Sequence, residues 1–246
     1  MFEADAGAGF DEASSDAYAI PFLRILQSNS AQCKRTEPTY IKGAGEGDFY
    51  NTVTEKLYSN ETGGVNFVPC YFRRVFNLWL PRAEGGGFKG VMSEAAGKAM
   101  LQNCTKDEKN HDITPDGFLL VDTREHYGLV VDADSFTPVM LPLASTQVKY
   151  SKKWMGLMQG HRLPNGAEAP MFSHMYILTT LGQSNDEGTW AVIKVTDLGY
   201  VQSREVYEAA KAFREIIRSG QAQLVEDDVV RGREPGDEQP DDDVPY

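Results

Sequence analysis

The sequence predicts a mainly β chain with α elements, an α+β fold. A small Greek-key barrel carries one inserted helix, a C-terminal helix and a disordered acidic tail. Three observations lead there. Short runs of β-branched and aromatic residues recur between glycine, asparagine and aspartate breaks. One helical stretch, Ser145 to Met158, interrupts those runs, and a second, Ser203 to Gly220, closes them. Beyond it, residues 225–246 hold too few apolar side chains to offset the entropy of ordering.

Taken in order, residues 1–17 are small, polar and acidic and read as a flexible arm. Ile20 to Gln27 is the first apolar segment; Pro21 near its start is compatible with an edge strand or a short helix. Ile41 to Asp48 is glycine-rich without a flanking strand and helix, so it is a loop and not a dinucleotide fingerprint. Phe49 to Thr54 and Val65 to Leu80 read as strands, with Pro69 marking a bend or bulge in the second. Alternation puts Tyr71, Arg73 and Val75 on one face and Phe72, Arg74 and Phe76 on the other. Ala83 to Gly90 is a mobile loop lacking the Gly-Lys-Ser/Thr ending of a phosphate loop.

Ser93 caps a helix to Asn103, and Lys106 to Asp116 is a polar connection. Gly117 to Asp122 and Tyr127 to Asp132 form a hairpin about Thr123–His126, followed by a strand from Thr137 to Leu143. In the inserted helix Ser145 is the N-cap. Val148, Met155 and Leu157 or Met158 supply the buried stripe, and Thr146, Lys149 and Lys153 share one edge. Met171 to Leu181 and Thr189 to Thr196 are strands of a hairpin turning at Gly182 to Gly188. The last helix has Ser203 as cap, the stripe Val206, Ala210, Phe213 and Ile217, and Gly220 as its stop. Short strands, an inserted helix and a terminal helix suit a five-stranded OB-fold-like barrel over residues 18–224.

With 246 residues and 41% apolar content, the chain is long enough for one sizeable core. It has no apolar run of membrane-span length and no basic N-terminus leading into an apolar block, which implies a cytoplasmic protein. Cys33, Cys70 and Cys104 are odd in number and far apart, so neither a disulfide framework nor structural zinc is expected, and no cofactor or metal is. The four histidines are scattered without an i, i+4 pair, and no nucleophile motif occurs. The net charge of −12 at first disfavours nucleic acid. Residues 225–246 account for −7 and residues 1–17 for −5, so the body is neutral and can present a basic groove. The acidic tail is free to occupy that groove when DNA is absent.

Cations that track phosphates, interleaved with flat rings that accept bases, are what a single strand requires. Two stretches offer both: Tyr71, Arg73, Arg74, Trp79, Arg82, Phe88 and Lys89, then Lys149, Tyr150, Lys152, Lys153 and Trp154. The final residues Asp241, Asp242, Asp243, Val244, Pro245 and Tyr246 place acids before a proline and a terminal aromatic. This tip resembles the C-terminal peptide of bacterial single-stranded DNA-binding proteins, with Val244 and Tyr246 as conservative departures. Pro142 to Lys149, Lys152-Lys153-Trp154, Ile20 to Leu23 and the Gly85–Gly87 loop resemble segments of phage-encoded single-stranded DNA-binding proteins.

The resemblance implies a role in phage replication and recombination in the host cytoplasm, and the lack of catalytic motifs makes a non-enzymatic protein the expectation. It would coat single-stranded DNA and recruit replication or recombination proteins through its tip, with homo-oligomerisation left open. The rivals are a strand-annealing recombination protein, a metal-dependent nuclease using Asp122, Glu125, Asp132 or Asp134, and a virion or interaction protein without DNA affinity.

Overall fold

A computed structural model describes residues 19–185, 188–220 and 223–224, the side chains of residues 19, 82, 223 and 224 excepted. The 1–17 arm, the 225–246 tail and the tip Asp241–Tyr246 lie outside the described residues.

The first apolar segment is extended, not helical: β1 (Ala19–Ile20) and β2 (Leu23–Ile25). After the glycine-rich loop come β3 (Phe49–Asn51), β4 (Leu57–Tyr58) and the long β5 (Val65–Trp79). The pairing of β5 slips between Pro69 and Tyr71, the bulge that a proline without an N–H imposes. β6 (Phe88–Ser93) begins inside the stretch expected to be loop, because Phe88 packs edge-on against Trp79 at 5.4 Å. α1 (Glu94–Leu101) follows, with Ser93 Oγ accepting from the Ala96 N–H at 3.3 Å. The polar connection contains two short strands, β7 (Thr105–Lys106) and β8 (Asp112–Ile113).

The expected hairpin about Thr123–His126 is absent. β9 (Leu119–Val131) runs straight through those residues, pairing with β5 over almost its whole length. Its polar middle is buried because partners are supplied from the side: Arg73 and Arg74 on β5, and Ser151 beneath His126. β10 (Phe136–Ala144) returns antiparallel to β9. A 3₁₀ turn, Ser145–Gln147, then leads into α2 (Val148–Gly160). Ser145 is therefore not the N-cap; its φ of 47° lies in the left-handed region, and Gln147 caps without a side-chain bond. β11 (His174–Asn185) and β12 (Gly188–Tyr200) form the second long hairpin. α3 (Arg204–Ser219) has the expected cap, Ser203 Oγ accepting from the Val206 N–H, and stops at Gly220 with φ 73°. β13 (Gln223–Leu224) pairs parallel with β1.

The principal sheet is antiparallel and curled into a half-barrel, in the order β12-β11-β5-β9-β10, extended by β6 on β5 and by β8 and β7 beyond β9. Among the long strands β5, β9 and β10 follow one another, with the short β6, β7 and β8 in the first connection, and β11 returns to lie beside β5, which is a Greek-key order. The concave face holds Phe67, Val130, Leu141, Leu143, Tyr176 and Leu178, filled from below by Trp154 and Met158 of α2. The convex face carries Val68, Tyr127, Leu129 and Met140, covered by Ala210, Phe213 and Ile217 of α3.

Among the described residues the outer edge of β12 has no strand partner. The side chain of Gln27 exchanges both hydrogen bonds with Ala191 (2.8 and 3.1 Å), while Gln147 donates to the Ala191 carbonyl and accepts from the Ile193 N–H, both at 2.9 Å. Asn60 does the same for Thr180 on β11, at 2.7 and 3.4 Å.

Candidate nucleic-acid interface

The Gln147 bonds pin the start of α2 against β12, and the helix then buries Ser151, Trp154 and Met158. Trp154, expected to stack on a base, is a core residue at 2% exposure. His126 stacks on it at 4.6 Å, and Phe67 and Tyr176 meet its ring edge-on at 5.7 and 5.6 Å, so no face is left for a base. Thr146 is buried as well and leaves the edge it was expected to share with the lysines, while Leu157 points to solvent. Of the expected stripe only Met158 is fully buried, Val148 and Met155 being partly so, and the bulkiest ring of the helix takes the inner face.

The outer face of α2 keeps its cations. Lys149, Lys152 and Lys153 are exposed and make no ion pair among the described residues. Lys149 and Lys153 sit over the half-buried Tyr150 ring, their Nζ atoms 5.2 and 5.8 Å from its centroid. Three lysines in the first two turns, with no acid in the first, stand at the positive end of the helix dipole. A like-charge pair at i, i+4 costs a few tenths of a kcal/mol more. The arrangement opposes helix stability and creates a positive patch beside a flat ring.

The β5 stretch is different, because its arginines are already engaged. Arg73 Nε donates to Glu125 Oε2 at 2.7 Å, one terminal nitrogen donates to Tyr127 Oη at 2.7 Å, and that hydroxyl donates to the same Glu125 oxygen at 2.9 Å. On the opposite face Arg74 grips Asp122 with two bonds of 2.9 and 2.6 Å and reaches Glu94 at 3.3 Å; Arg124 grips Asp122 from the same strand. Burial alone would raise the Asp122 carboxyl, but Arg74 and then Arg124 hold it below the ordinary carboxylate range. Trp79 is buried against Phe88, which corrects the expectation that it is open to a base. Tyr71 is half-buried beside Tyr127. Lys89 is exposed, and the Arg82 side chain lies outside the described residues.

Nor do the carboxylates considered for a metal converge. Asp122 and Glu125, three apart on a strand, point to opposite faces, and Asp132 is paired with Lys56 at 2.7 Å.

One cluster has no signature in the sequence. His161, after the last turn of α2, meets His174 at the start of β11, their rings stacked at 3.8 Å and 10°. His161 Nε2 lies 3.1 Å from Asp197 Oδ2 and 3.0 Å from Tyr176 Oη, and His174 Nδ1 lies 2.8 Å from Ser173 Oγ. Burial, then the neighbouring His161, lowers the His174 imidazole. Residues from a helix end and two strands meet here only because β11 and β12 pair beneath α2, so no local spacing reveals it.

The profile of a phage family, described as Pam3 phage gp34-like protein, matches residues 1–223. No curated protein and no solved structure matches the chain.

Proposed function

The chain belongs to the Pam3 phage gp34-like protein family, and from that premise we propose that it binds single-stranded DNA in phage replication or recombination, without catalysing a reaction. The observation that carries the reading is the outer face of α2: three lysines without an ion pair among the described residues, two of them flanking the Tyr150 ring. Phosphates would relieve the like-charge repulsion, and the ring edge would meet sugar or base.

The Greek-key order with a helix between its third and fourth long strands supports an OB-type barrel. In such barrels the second and third strands carry much of the binding face. Here the convex side of β9 and β10 is covered by α3, so the strand is assigned to the α2 side. Recruitment of a replication protein by residues 241–246, in the host cytoplasm, belongs to the same proposal. Among the described residues no helix is long and apolar enough to cross a membrane.

The test is fluorescence anisotropy with labelled single- and double-stranded oligonucleotides over a salt series. Single strands should be preferred. Lys149→Ala and Lys153→Ala should each lower the slope of log affinity against log salt by about 0.7. An unchanged slope in the double variant would remove α2 from the interface. Magnesium-dependent cleavage of the strand would instead point to the nuclease, and rings or filaments on DNA to an annealing protein.

A further inference from the structure

We propose that His161, His174 and Asp197 form a three-ligand site for a divalent transition metal, zinc by its donor set. One ligand atom from each residue lies within 4.8 Å of the others. The His161 Nε2–Asp197 Oδ2 distance of 3.1 Å is already that of two neighbouring ligands. Bonds of about 2.0–2.1 Å in a tetrahedron put ligand atoms about 3.3 Å apart. What remains is a turn of the imidazoles out of their parallel stack. His161 follows the last turn of α2, with extended backbone and a side chain 19% exposed, so its ring has room to make that turn.

Without a metal the arrangement is poorly compensated. Two imidazoles lie face to face at 3.8 Å, with a single carboxylate to balance any proton they hold. A divalent ion would accept both rings as neutral donors and more than offset the carboxylate charge, leaving one positive charge that a fourth, anionic ligand such as hydroxide can balance. Two histidines and one carboxylate suit zinc, with a fourth position left to water or another ligand. The surroundings have the form of a second shell. With Nδ1 donating to Ser173 Oγ, the His174 Nε2 carries the lone pair a metal takes, and serine fixes the tautomer. Tyr200 packs 4.3 Å from the His174 ring and is held by its hydroxyl, which donates to the Arg162 carbonyl at 3.0 Å. Tyr176, wholly buried, offers its hydroxyl beside His161. No other group of three such residues meets among those described, the surface His111–Asp107 contact included.

The experiment uses the full chain, stripped with chelator and without DNA, so its outcome is independent of the nucleic-acid reading. Zn²⁺ is titrated against a competing indicator, and Co²⁺ reports geometry by its visible absorption. One equivalent should bind, raise the melting temperature, and give the intense Co²⁺ bands of a four-coordinate site. Asp197→Asn and His161→Gln, both at partly exposed positions, should each weaken binding by at least about a hundredfold, beyond the about 10–100-fold of a second-shell loss. Circular dichroism of the metal-free variants checks that they fold. His174→Ala should abolish binding; if it fails to fold, the other two variants decide. His111→Ala should change nothing. Absence of a zinc equivalent, binding unaltered in His161→Gln and Asp197→Asn, or binding lost in His111→Ala would each overturn the assignment.

Discussion

Acid should destabilise this protein through one buried ring, His126. The side chain is fully buried, with Nε2 2.8 Å from Ser151 Oγ, Trp154 stacked on it, and Phe72 5.1 Å away; Nδ1 has no hydrogen-bond partner among the described residues. Burial, and secondarily the Arg124 charge, push its pKa down to about 3. In the unfolded chain it titrates near about 6.5. The unfolded chain therefore takes up a proton that the fold refuses. This contribution to stability is intact above about pH 6.5 and is lost as the pH falls toward the folded value.

The slope approaches about 1.4 kcal/mol per pH unit, so about 2–3 kcal/mol is gone two units below 6.5. His126→Phe keeps an aromatic among Phe72 and Trp154 and removes the titration. It loses the Ser151 hydrogen bond, about 1 kcal/mol. Urea unfolding of both proteins between about pH 7.5 and 4.5 is the assay, because the other titrating groups cancel in the difference. The variant should be the less stable protein at neutral pH and the more stable one at the acid end. A difference that stays constant with pH would refute the reasoning.

Three further outcomes are expected. Trp154→Ala should lose about 3–5 kcal/mol in denaturation, as a large ring removed from a core does, while the folded fraction keeps its affinity for single strands. Gly97→Ala on α1 would set a Cβ 2.1 Å from the Phe76 ring and 2.7 Å from its Cβ, so the ring cannot swing clear. Overpacking of about 1–3 kcal/mol should exceed the helix-propensity gain of about 1 kcal/mol and lower the melting temperature. Gln27→Ala and Gln147→Ala should each cost about 1–3 kcal/mol by stranding buried backbone groups of β12, and sedimentation should show more self-association.

What the sequence discloses here is what neighbours along the chain decide. The 65–79 strand, its bulge at Pro69, and α3 with its serine cap and glycine stop are local matters of alternation, a missing N–H, and period. β9 is not local. Thr123-Arg124-Glu125-His126 looks like a turn until Arg73 and Arg74 stand on the adjacent strand, pairing with Glu125 and with Asp122 just before the quartet. The same pairing turns two expected phosphate contacts into ion-pair partners. On α2 the lysines were legible as an exposed row. Whether the tryptophan five residues after Lys149 faces in or out depended on the concave sheet it fills. The meeting of His161 with His174 is set by the β11–β12 register and by where α2 ends, and neither is written near a histidine.

The carboxamides of Gln27, Asn60 and Gln147 have a consequence for how the molecule meets its own copies. A primary amide presents one donor and one acceptor in a plane, as a peptide group does, so each can stand in for a strand over one step of the ladder. Unlike a strand, it has only one spare N–H and one spare lone pair to turn outward, not a periodic row on which another strand could register. The backbone ladder is thus brought to an end at Ala191, Ile193 and Thr180 by side chains that carry no repeating backbone edge. Copies brought together along that edge would then meet through side chains, and the sheet of one molecule would not continue into the next there.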